Sequence, residues 1–404
     1  MPRTLLVGQA AQPTGMARVL HALAGRLAAH REVHALGIDV FPGSAACPGR
    51  RDGGYVLHGN PRDWDMLAER ELPRLVAALR PDTVVLYHDP WYVPRLRRAI
   101  GDTGARVIAY CPVDGEILQT WVATELAVLD GLVVPTRFAA RAIRACVEGT
   151  DLAGRTPFDR MMVLPHGMDG DDFQPWGGSL EDASARRLAA RRALFPDRPE
   201  RWSGFWTLNV NRNHARKRLD LTVRGFASFA AGKPSDVLLF LPWGDDRTGV
   251  DVKSLARTLD IADRLVVPSP AAGVSTERLN LLYNAADVGV NTSTGEGWGL
   301  PSFEHAATGA AQIVPAHSAC GELWSSAAEV LPVRRTLTLS GLLQGGEVEA
   351  RDVADALSRL YHDAPHRERM ALAAYEVAHQ DAYRWDRIAA GWHAYLGEHE
   401  AARR

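Results

Sequence analysis

Cysteine is scarce and scattered. Cys47, Cys111, Cys146 and Cys320 stand far apart, form no CxxC pair and match no metal-ligand spacing. Neither a disulfide framework nor a cysteine-bound metal is expected from them; they read as structural thiols in a reducing compartment. Net charge is nearly absent too, at -2 over 404 residues. A general nucleic-acid binder would carry a basic excess, so no nucleic acid is expected as a partner. No run approaches the roughly 18 apolar residues that a membrane span needs. The opening MPRTLLVGQ shows no signal-peptide cleavage pattern. The expected location is the cytoplasm, with peripheral contact on the inner face of a membrane left open. No short-period repeat is found.

What is present is an alternation. TLLVG, TVVLYHD, RVIAYCPVD, GLVVPT and MMVLPHG are short apolar runs ending in turns, mostly separated by segments of helical periodicity. Such runs predict parallel strands covered by helices on both faces. Between about residues 176 and 204 the pattern lapses into a polar stretch with one charged helix, read as the crossing between two domains. It resumes with WTLNVN, DVLLFLPWG, DRLVVPS, ADVGVNTS and AQIVPA as strands. The length also suits two cores rather than one. The fold class expected is α/β, two Rossmann-like doubly wound domains in tandem. Ligands of such sheets bind beyond the carboxyl ends of the strands, so a cleft between the domains is the expected site.

Residues 291–310, NTSTGEGWGLPSFEHAATGA, place three alternating glycines before a short helix. Pro301 suits the first helical position, while Leu300 before it offers no capping side chain. The amides around Gly297, Trp298, Gly299 and Leu300 therefore lack an obvious partner. A phosphate would satisfy them and gain from the helix dipole; a glycine turn capped by water fits the same residues. The spacing is neither G-x-G-x-x-G nor a Walker A loop, which disfavours NAD and ATP hydrolysis. In NVNRNHARKRLD, Arg212 and Lys217 follow a strand at a spacing that lets both reach one point. Arg grips phosphate as a fork and Lys as a point charge, although charge runs are usually solvated loops. Glu304, one turn into the helix, could accept ribose hydroxyls or merely compensate the dipole. Glu296, before the turn, could face a sugar on the other side of a diphosphate.

Glu296 and Glu304 form E-x7-E, and this stretch resembles the signature of retaining, nucleotide-sugar-dependent glycosyltransferases of the GT-B fold, family 4 (group 1). YNAADVGVNTS, NRNHARKRLD, VLPHGMDGDDFQP, QPTGMARVLHALAGRL and YRWDRIAAGWHAYL resemble further family segments in the same order. The resemblance implies an acceptor-side domain over residues 1–178, rejoined by a terminal helix over 378–404, and a donor-binding domain over 204–377. It implies that Arg212 and Lys217 hold the diphosphate and Glu304 the ribose. Glu296 and the Gly297–Leu300 amides would meet the donor sugar and its phosphate. Val267, in the VVPS stretch from Val266 to Ser269, would lie beside the nucleobase. Gly15 would approach the diphosphate from the first domain. No DxD motif stands near a strand end, so no metal is expected if cations stabilise the leaving diphosphate. No cofactor is expected beyond the nucleotide diphosphate sugar itself.

One segment departs from the family. Many relatives carry a histidine after a first-domain strand; here VIAYCPVDGEIL offers Asp114. It could orient a hydroxyl, take a proton, or simply shape a turn. His88 and Asp89, with Trp91 and Tyr92, are the other first-domain candidates for substrate contact. The implied activity is hexose transfer from a nucleotide diphosphate sugar, with retention by same-face attack, to a carbohydrate, lipid or small-molecule acceptor. Glu296 is not assigned as a covalent nucleophile. The competing readings are a non-catalytic nucleotide-sugar-binding protein, which should have lost the donor set, and a nucleotide-sugar 2-epimerase. Oligomeric state, donor base and acceptor are not readable.

Overall fold

The computed structural model describes residues 1–11, 14–44, 48–168, 170–244, 248–268 and 275–401; Cys47 and Ser269 lie outside them. The chain divides into two compact units. The first comprises Met1–Val113, Ile117–Gly167 and Asp381–Arg404; the second comprises Asp114–Glu116 and Met168–Gln380.

The strands up to residue 163 are β1 (Arg3–Gly8), β2 (Glu32–Gly37), β3 (Gly49–Arg50), β4 (Val56–Gly59), β5 (Thr83–Tyr87), β6 (Arg106–Tyr110), β7 (Glu116–Ile117), β8 (Gly131–Val134) and β9 (Met162–Val163). Eight of them form a sheet in the order β3-β4-β2-β1-β5-β6-β8-β9. Every neighbouring pair is parallel except the short β3–β4 edge. β5 (TVVLY) and β6 (RVIAY) are buried at every position, which requires cover on both faces. The helix Gly15–Leu27 buries Val19, Leu20, Leu23 and Leu27, one stripe at helical spacing. Thr14 caps it, accepting from the Ala17 amide at 3.0 Å. The terminal helix Trp385–Ala401 also belongs to this unit, where Trp392 meets Tyr110 edge-on at 5.1 Å.

In the second unit β10 (Phe205–Leu208), β11 (Val237–Phe240), β12 (Leu265–Val266), β13 (Val288–Val290), β14 (Ala311–Pro315) and β15 (Glu329–Leu331) form an all-parallel sheet ordered β12-β11-β10-β13-β14-β15. Each unit has its own apolar core, the first around Leu5, Val84, Val107 and Leu132, the second around Val237, Val288, Ile313 and Leu357. Both sheets reverse direction of winding at one point, between β1 and β5 and between β10 and β13. The carboxyl ends of those strand pairs open the crevices where doubly wound folds take ligands.

Two features depart from the expectations. The sequence reading contains no strands between 335 and 347, yet β16 (Arg335–Leu339) and β17 (Leu343–Glu347) form an antiparallel hairpin. The division also falls at Gly167, not at 178, and the second unit runs to Gln380. Residues 176–204 are not a crossing but part of the second unit. Asn284 Nδ2 donates to the Gln174 carbonyl at 2.9 Å, and its Oδ1 accepts from the Trp176 amide at 2.7 Å. In the helix Ala183–Leu194, Arg191 is buried, its Nη2 2.7 Å from Asp287 and its guanidinium 4.6 Å over the Trp206 ring. The polarity that reads as a linker is partly buried and paired.

Candidate functional site

The two segments that the sequence singles out leave adjacent strands. β10 runs into residues 209–218 and β13 into 291–300, so both emerge at the second unit's switch point. After β10, Asn209, Asn211 and Asn213 are buried while Arg212 between them is exposed. Asn213 Nδ2 donates to the carbonyls of Gly244 (2.9 Å) and Val250 (2.6 Å), and Asn209 Nδ2 to Thr222 Oγ1 (2.9 Å). The loop is thus anchored from inside. Lys217 ends a short 3-10 turn, and Arg218 takes a left-handed conformation (φ 50) before the helix Leu219–Ala230.

Lys217 and Glu296 meet. Lys217 Nζ lies 2.5 Å from Glu296 Oε1 and 2.7 Å from Oε2. Oε1 also accepts from Ser293 Oγ (2.7 Å) and Asn291 Nδ2 (3.2 Å), while Arg216 Nη1 stands 3.5 Å from Oε2. The Glu296 amide donates to Ser318 Oγ at 2.8 Å, and its carbonyl accepts from the Ala319 amide at 3.1 Å. Burial by itself would raise the Glu296 carboxyl, but Lys217, Arg216 and the hydrogen bonds outweigh it and lower the group from 4.5 to about 2. Glu296 is therefore a fixed carboxylate with both oxygens engaged, unsuited to attack a sugar carbon.

That lowering has a sign in stability. The contribution of Glu296 is fully present above its ordinary value near 4.5 and is lost as pH falls through about 2. Glu296→Gln should therefore flatten the acid loss of stability between those limits. Denaturant midpoints of both proteins over pH 2 to 6 test this, and parallel curves would refute it.

From Glu296 the chain turns into the helix Leu300–Ala307. Gly299 is its N-cap at φ 91, a left-handed conformation that favours glycine, and no side chain caps the helix. Trp298 does not offer its ring there; the indole is buried and stacks on Phe303 at 4.8 Å. Glu304 is buried and accepts from Tyr283 Oη at 2.7 Å, which holds its carboxylate in place. Val267, just after β12, packs partly buried against the second core.

The structure places two more of the sequence candidates. Arg212 is exposed, turned outward by the alternation that buries Asn211 and Asn213, and among the described residues it makes no ion pair. Arg216, passed over in the sequence, stands beside Glu296 together with Lys217. Asp114 belongs to the second unit rather than to an acceptor-side domain, with Oδ2 3.3 Å from Arg216 Nε. It is held there by backbone. A Cβ on Gly295 would lie 1.8 Å from the Asp114 carbonyl oxygen, and one on Gly115 2.5 Å from the Gln344 carbonyl oxygen in β17. Ser293 and Asn291 were also missed; their signal is a polar run, NTST, directly beyond a buried strand.

In the first unit, Gly15 opens the helix after β1 and His88 follows β5, so both lie at that unit's switch point. His88 is buried, and burial lowers its imidazole from 6.5 to about 4. Its Nδ1 accepts from the Asp89 amide at 2.8 Å, which leaves the proton of the neutral ring on Nε2.

Two such sheets, with these switch points, define a GT-B pair of Rossmann-like domains. A family model described as glycosyl transferase-like matches residues 252–394. D-inositol 3-phosphate glycosyltransferase from Stackebrandtia nassauensis is 30% identical over 267 residues, 64% of this chain and 52% of the relative. The enzyme of the same name from Salinispora arenicola is 30% identical over 264 residues, 63% of this chain and 54% of the relative. The chain thus spans about half the length of the curated relatives it matches. Among solved structures, sucrose-phosphate synthase from Thermosynechococcus elongatus superposes with a TM-score of 0.76 at 16% identity, over 100% of both chains. HepE from Anabaena, solved with UDP-glucose, gives 0.70 at 13% identity, over 98% of this chain and 99% of that one. The chain is thus similar to glycosyltransferases over part of its length, and its fold is that of the GT-B enzymes.

Proposed function

We propose that the protein transfers a hexose from a nucleotide diphosphate sugar to an acceptor hydroxyl with retention of configuration and without a metal. The observation that supports this best is the cluster at the β10/β13 switch point. Two cations from the loop after β10 meet a locked carboxylate in the loop after β13, just before a helix start that no side chain caps. Breaking a sugar–phosphate bond places charge on the leaving diphosphate, and preorganised cations and amides stabilise that charge. In this reading Lys217, Arg216 and the exposed Arg212 meet the diphosphate, and the Gly297–Leu300 amides its sugar-side phosphate. Glu296 orients the sugar, Glu304 takes ribose hydroxyls and Val267 lies beside the base.

Retention follows from same-face attack, with the leaving phosphate taking the acceptor proton, because Glu296 has no free oxygen for a covalent intermediate. Asp114, engaged on Arg216, serves the donor side. Gly15 and His88 serve the first unit's part of the reaction, His88 as a neutral Nε2–H donor to a hydroxyl. The names of the relatives and the UDP-glucose in HepE support a nucleotide-sugar donor, and a carbohydrate, lipid or phosphorylated polyol acceptor fits equally. No cofactor is assigned.

The deciding experiment incubates the protein with UDP-, GDP- and ADP-hexoses, with and without EDTA, and reads the released or transferred sugar by NMR. Consumption of one donor, insensitivity to EDTA and an initial product of the donor's own anomeric configuration are expected. An inverted product or strict metal dependence would refute the mechanism. No consumption of any donor, even with acceptor extracts, would favour a binding protein.

A further inference from the structure

The cluster around Glu296 is electrically balanced before any ligand arrives. Arg216 and Lys217 supply two positive charges, and Glu296 and Asp114 two negative ones. Glu296 is fully engaged and faces Lys217 from within the turn. Asp114 is different: its side chain is 19% exposed, and its ion pair with Arg216 spans 3.3 Å. Arg216 itself is fixed at the backbone, its carbonyl accepting from the Thr294 amide at 2.9 Å and Thr294 Oγ1 at 3.2 Å. Its guanidinium also donates to the Gly295 carbonyl. The segment carrying Asp114 is placed by backbone contact with Gly295 on one side and, through Gly115, with β17 on the other.

Resting on the donor-site reading above, we propose that Arg216 is a third cation for the diphosphate and that Asp114 is a positioning residue that masks it until the donor binds. A diphosphate bound beside Lys217 lies one carboxylate away from Arg216, since both cations touch Glu296. There it competes with Asp114 for the guanidinium, and Arg offers a fork that suits phosphate oxygens as well as a carboxylate. In the empty site Asp114 neutralises the guanidinium and prevents like-charge repulsion from Lys217. In the filled site it lies beside a phosphate and opposes it, which weakens nucleotide binding and favours release of the spent diphosphate.

The test is calorimetric titration of UDP, GDP and ADP into the full chain, its Asp114→Asn, Arg216→Gln and double variants, with melting temperatures in parallel. Removing the Asp114 charge should tighten the best-bound diphosphate by about tenfold, and removing Arg216 should weaken it by a similar factor. The double variant should match Arg216→Gln within about twofold, because Asp114 acts only through Arg216. Asp114→Ser serves if the asparagine variant does not fold. Weaker or unchanged binding in the folded Asp114 variant overturns the proposal while leaving the donor site standing. So does an Asp114 effect that persists without Arg216. Failure of the wild-type chain to bind any of the three overturns this proposal and the donor-site reading together.

Discussion

Lys217→Ala should reduce sugar transfer by about a hundredfold to a thousandfold, the loss seen when one preorganised charge donor is removed. The ammonium is held by both oxygens of Glu296, so the substitution removes the proposed phosphate contact and leaves a carboxylate without its main counter-charge. These two effects separate in Lys217→Ala/Glu296→Gln, which restores neutrality inside the site without restoring the cation. That double variant should recover melting temperature relative to Lys217→Ala but stay inactive. Donor turnover near wild type in either protein would refute the assignment of Lys217.

The largest stability effect is expected far from the chemistry. Asp287 sits between Arg187 Nε at 2.9 Å and Arg191 Nη2 at 2.7 Å, and its Oδ2 also accepts from the Trp206 amide at 2.8 Å. Arg191 Nε donates to the Ala285 carbonyl at 2.9 Å and Nη1 to the Gly204 carbonyl at 3.0 Å. Breaking a buried pair from one side typically costs about 3 to 5 kcal/mol; Arg187 stays beside Asp287, which places the loss at the lower end of that range. Arg191→Ala should therefore lower the stability of the second unit by that amount, read from guanidinium unfolding. A loss below about 1 kcal/mol would mean that the pair is solvated in the folded protein. Transfer by the folded fraction should remain, since Arg191 touches none of the donor cluster.

The sequence made the sheets legible because parallel strands buried on both faces leave continuous apolar runs such as TVVLY and VLLF. The turn from Glu296 to Pro301 was legible for a related reason: glycine and proline there answer to backbone geometry, which local sequence records. What stayed hidden depends on tertiary packing. Arg212 and Arg216 look interchangeable in a basic run, and only the inward anchoring of Asn211 and Asn213 decides which one turns away. Asp114 looks like a first-domain residue because its neighbours on both sides are. The arginines of the helix Ala183–Leu194 suggest solvent, since nothing local reveals that Asp287, about a hundred positions later, waits for them. The β16–β17 hairpin was missed although TLTL alternates, because Gly345 and Gly346 interrupt the pattern where its backbone approaches Thr294.

The chain passes between its two units after Val113, Glu116, Gly167 and Gln380. The second unit is consequently not a module that can be excised as one continuous fragment. A piece spanning 168–380 retains Lys217, Glu296, Glu304 and the glycine turn, but leaves behind the three residues that bring a carboxylate to Arg216. Such a fragment would carry its guanidinium permanently unmasked. Grafting or shuffling of this half among related enzymes would then change nucleotide release even when every residue of the transplanted stretch is preserved.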